Sequence, residues 1–90
     1  MNNKRKLKHT ISLVCSELFA DGIAIAHYHG KTDKENTEAL LASIIVIHSD
    51  YIKRVSHPEP GIRPKDYFDK LIADFNKQVE EIADQLNNLV

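Results

Sequence analysis

Between Phe68 and Leu89 the apolar residues Phe68, Ile72, Phe75, Val79, Ile82, Leu86 and Leu89 recur at alternating steps of four and three. At 100° per residue they fall on one stripe, the seam of a coiled coil or helical bundle. The remaining face is charged or amide: Asp69, Lys70, Asp74, Asn76, Lys77, Glu80, Glu81 and Asp84. Lys77 and Glu81, four apart, add at most a few tenths of a kcal/mol. A segment with this pattern is stable only where other helices cover its stripe. The rest of the chain therefore has to supply them.

Two further segments have that form. In residues 4–28, Leu7, Ile11, Val14, Leu18, Gly22 and Ile25 make a stripe, with Cys15 and Ala26 at its edge. Gly22 in its middle costs about 1 kcal/mol against Ala, which predicts either a close helix–helix approach or a bend. Gly30 is placed to cap the C-terminus, since it adopts positive φ without a steric cost. In residues 33–56 the stripe is Leu40, Leu41, Ile44, Ile45, His48, Tyr51, Ile52 and Val55. Thr32-Asp33-Lys34-Glu35 fits the capping box that opens such a helix. Pro58 turns His57 away from helical ψ and closes it near Ser56.

The connections are as telling as the helices. All three prolines lie in 57–64, His57-Pro58-Glu59-Pro60-Gly61-Ile62-Arg63-Pro64, a stiff and partly extended loop. Pro64 suits the first turn of the third helix, residues 64–89. Three prolines and three glycines in 90 residues are too few for the turns of a β-sandwich or barrel. With 42% hydrophobic and 28% charged residues, neither a disordered nor a collagen-like chain is indicated. The expected fold is one all-α domain, a three-helix up-down-up antiparallel bundle.

A chain of this size buries only about 60–65% of the surface its unfolded form exposes. A single cysteine allows no internal disulfide and no multi-thiolate zinc site. Association is the remaining route to more burial. Ile44-Ile45-Val46-Ile47 is apolar round a whole helical turn, with Ile47 and Val46 roughly 80° and 180° off the stripe. Such a turn marks an interface. Ile44, Ile45, Val46, Ile47, His48 and Tyr51 are accordingly the interface candidates, with a second copy of the chain the expected partner and a different protein the alternative.

Residues that carry chemistry are few. His27 and His29 point about 200° apart on a helix and cannot share one metal ion there. His48, within the second stripe, is expected to be satisfied by Glu17, Asp21, Tyr51 or its own copy across a dimer axis; its sharper reading is a pH-sensitive contact. Glu17 and Asp21 share a helix face, with Arg54 and Arg63 as possible counter-charges. With His48 they make the one speculative polar site. Cys15 lacks a base or a helix N-terminus to activate it and reads as a small buried hydrophobe.

Lys4, Arg5, Lys6 and Lys8 make the N-terminal end basic, whereas residues 64–90 carry six acids against three lysines. Residues 4–9 could touch nucleic-acid phosphates, but four charges without interleaved aromatics are weak footing for that. The net charge of −1 gives no global field toward nucleic acid or membrane. Glu17 and Asp21 interrupt the first apolar segment, which argues against a secretory leader and a spanning helix. The expectation is a cytoplasmic, non-enzymatic protein without cofactor or metal, acting through protein–protein contacts. A nucleic-acid accessory role is the alternative, and a small-ligand or metal site around His48, Glu17 and Asp21 is the remoter one.

Overall fold

The computed structural model describes residues 3–28 and 34–89. They form three helices and, among the described residues, no strand: α1 (Asn3–Tyr28), α2 (Lys34–Ser56) and α3 (Pro64–Asn88). The capping box at 32–35, Gly30 and His29 lie wholly or partly outside the described residues. The α2–α3 break falls where the prolines place it. Pro64 opens α3, preceded by Arg63 in extended conformation (ψ 136°). Gly61 takes φ +91° at the tip of the loop. The Tyr67 hydroxyl donates to the Arg54 carbonyl at 2.9 Å and ties the start of α3 to the end of α2.

The shared core is Ile11, Cys15 and Leu18 from α1, Leu40, Ile44, Tyr51 and Val55 from α2, and Leu71, Phe75, Ile82 and Leu86 from α3. Tyr51 meets Phe75 edge to face, with ring centroids 5.2 Å apart. Arg54 caps the outer side of the Tyr51 ring, its guanidinium carbon 4.8 Å from the centroid. Burial pushes the Tyr51 hydroxyl above its usual pKa, with Arg54 pulling it partly back.

In two places the seam runs differently from the four-three template. Ile72 is exposed and Leu71 takes its place in the core. On a true 3.6-residue helix Leu71 lies about 30° from the centre of the buried set and Ile72 about 70°, a difference that strict heptad spacing hides. On α2, Ile45 is 57% exposed although the stripe included it, whereas Ile47 packs against the core. The residues that reach the core, Leu40, Ile44, Tyr51 and Val55, centre about 50° from Ile47 and about 110° from Ile45.

Gly22 is a contact point between helices, and α1 runs helical straight through it. A Cβ built there would meet Leu41 Cδ2 at 2.7 Å and Leu86 Cδ2 at 3.6 Å, so α1 approaches α2 too closely for a side chain. Gly22→Leu is predicted to cost about 2–3 kcal/mol through overpacking. Gly22→Ala should stay within about 1 kcal/mol of the wild type, because better helix propensity offsets the displacement of one flexible leucine. Urea denaturation followed by circular dichroism measures both.

Candidate functional site

The surface between α1 and α2, on the side away from α3, is a shallow open groove of about 370 Å³. Its lining includes Ser12, Cys15, Phe19, Ile44, Ile45 and His48 and contains no formally charged side chain. The groove between α2 and α3 differs: beside Val46 and Ile47 it carries Gln78, Glu81 and Gln85. The apolar turn of α2 is thus divided. Ile45 looks into the uncharged groove and Val46 into the polar one. Ile44 and Tyr51 are already covered within a single chain, and Ile47 and His48 are half-buried.

His48 is held by α1. Its Nε2 lies 2.8 Å from the Ser12 hydroxyl oxygen, the hydroxyl donating or accepting according to the ring tautomer. Ser12 was not among the partners expected for His48. The signal that reveals it is two-helix register: antiparallel packing with Gly22 against Leu41 brings Ser12 level with His48. The Ser16 hydroxyl in turn donates to the Ser12 carbonyl at 2.8 Å. Among the described residues no buried side-chain polar atom lacks a partner.

A serine on a histidine nitrogen is also the beginning of a nucleophile–base pair. The surroundings do not extend it. Ser12 and His48 lie in helix interiors, where backbone N–H groups bond carbonyls four residues back and cannot form an oxyanion hole. The two carboxylates of the speculative polar site lie elsewhere. Asp21 lines a different groove, with Leu18 and Ile25 of α1 and Ala83 and Leu86 of α3. Glu17 is exposed. Arg54 and Arg63 pair within their own surroundings, with Asp50 at 3.1 Å and Asp66 at 2.9 Å. No group of three or more His, Cys, Asp or Glu side chains among the described residues is placed to hold a metal ion.

Cys15, at 4% exposure, is buried beside the groove, and burial pushes its thiol pKa up, away from the reactive thiolate. His27 stacks edge-on against Tyr28, centroids 4.9 Å apart, at the exposed end of α1. The basic residues 4–8 form the first turns of α1 as regular helix, with Leu7 and Lys8 half-buried.

Comparison with family models, with curated proteins and with solved structures finds no match. The site therefore rests on its geometry.

The Ser12–His48 contact fits an interhelical clasp. Ser12→Ala is predicted to lose about 1 kcal/mol by leaving the half-buried ring nitrogen unpaired. Adding His48→Leu should return part of that loss, a non-additivity visible in a double-mutant cycle by urea denaturation. Strict additivity would mean that the two side chains do not interact.

Proposed function

We propose that this protein acts through protein–protein contact, and that its principal partner is a second copy of itself, docked on the uncharged face of α1 and α2. The carrying observation is the state of α1. It is apolar enough, at mean hydropathy 1.3 over an 18-residue window, to cross a membrane by length and composition, yet only 22% of that window is buried inside the chain. An apolar helix left so open calls for a cover. Lipid is a poor one: Glu17 and Asp21, near mid-helix, would each cost about 2.5–3.5 kcal/mol at a bilayer centre. Protein is a better one, because both carboxylates can stay at the rim.

The chain exposes 6531 Å². A compact monomer of its mass exposes about 5300 Å². The surplus, about 1200 Å², belongs to the whole elongated chain, 49 × 19 × 15 Å in extent. The exposed apolar side chains available on this face are Leu13 and Ile23 of α1 and Ile45 of α2. A cytoplasmic, non-catalytic regulatory or scaffolding role belongs to the same proposal.

Ile45→Asp is predicted to shift the chain to monomer in sedimentation velocity, weakening association at least tenfold, or about 1.4 kcal/mol. Val46→Asp, which faces the α2–α3 groove instead, should leave the assembly intact. The reverse pattern would move the interface to the α2–α3 groove and contradict the proposal.

A further inference from the structure

The outer strip of α1 consists of His9, Leu13, Ser16, Ala20, Ile23 and His27, all exposed. Read outward from the level of Leu18, it has a symmetry. Ser16 and Ala20 lie two residues to either side and are both small. Leu13 and Ile23 lie five to either side and are both large aliphatics. His9 and His27 lie nine to either side. Such a strip suits an isologous contact: each residue meets its counterpart from the other half of an identical strip, large against large at the flanks and small against small at the centre.

Building on the self-association proposed above, we propose that two copies pair through an antiparallel α1–α1 contact whose two-fold axis passes over the outer side of α1 at the level of Leu18. Leu13 then packs on the second copy's Ile23, and the reverse, on both sides of a close central approach at Ser16 and Ala20. His9 meets the second copy's His27 at each end.

Charge is compatible with this register. Glu17 and Asp21 lie about 80° and about 120° round the helix from the centre of the strip, toward α3. Lys8 lies just beyond its end, opposite the second copy's Tyr28, which carries no like charge. Ile45, 57% exposed in the adjoining groove, flanks the second copy's α1. The like-with-like order of the exposed strip about the level of Leu18 makes a second copy the occupant that fits it. A parallel pairing has none of this complementarity, since it would set the four-residue basic run against itself.

Cysteine cross-linking tests the register. Leu13→Cys and Ile23→Cys are made separately in a Cys15→Ala background, and each is oxidised with oxidised glutathione, alone and mixed. In the proposed pairing residue 13 faces residue 23 of the other copy within disulfide reach, whereas two residues 13 are about 15 Å apart along the axis. The mixture should give a covalent dimer at least tenfold faster than either protein alone. Cross-linking of Leu13→Cys with itself in preference to the mixture would overturn the antiparallel register while leaving self-association in place. A wild-type chain that is monomeric at all concentrations would overturn both.

A second pair works without thiols and guards against a background that does not fold. Leu13→Asp and Ile23→Lys, both at exposed positions, should each be monomeric alone and form a dimer when mixed. Failure of the mixture to associate, with both proteins helical by circular dichroism, contradicts the proposed contact.

Discussion

The close approach of α1 to α2 at Gly22 governs the rest of this structure. Leu41 occupies the space that a side chain at residue 22 would need. With that contact set, antiparallel register brings Ser12 to His48 and Ile44 and Ile45 to the level of Cys15. α1 packs most extensively on α2 and least on α3. The protein is in this sense an α1–α2 hairpin with α3 laid along it, and the hairpin's far side is left without a third helix to close it.

The three helices meet solvent in different ways. α3 presents a polar outer face with local ion pairs, Lys65–Asp69 at 3.1 Å and Lys70–Asp74 at 2.9 Å among them. These exposed pairs add little stability but make that face soluble without a partner. α1 has no such face. From Thr10 to Tyr28 its charged residues are Glu17 and Asp21, both on the side nearer α3. Its outer strip is aliphatic and small. Conformational entropy in so short a chain leaves a small net stability, so covering a few aliphatic side chains is a material gain.

The sequence made the architecture legible because its signals were local. The prolines at 58–64 and the four-three periods mark three helices with ends close to those observed. What depends on how helices meet was less legible. Leu71 and Ile72 are adjacent aliphatics, and only the 3.6-residue turn and the direction of the neighbouring helices decide between them. The same holds for Ile45 and Ile47, where six apolar candidates from 40 to 47 made the centre of the stripe ambiguous. Ser12 gave no signal at all: a serine among apolar residues on one helix says nothing about a histidine 36 residues away until the register is known. Glu17, Asp21 and His48 were plausible as a cluster by type, but the fold sends Asp21 to the α3 side and His48 to the far side of α1.

One chain leaves the outer face of α1 exposed, and a second chain is the cover proposed for it. The most direct test is the mass of the wild-type protein by light scattering across a wide concentration range. Self-association predicts about twice the 10.2 kDa of the chain, held down to low micromolar concentration. A mass of one chain throughout, with the helical content intact, would contradict it.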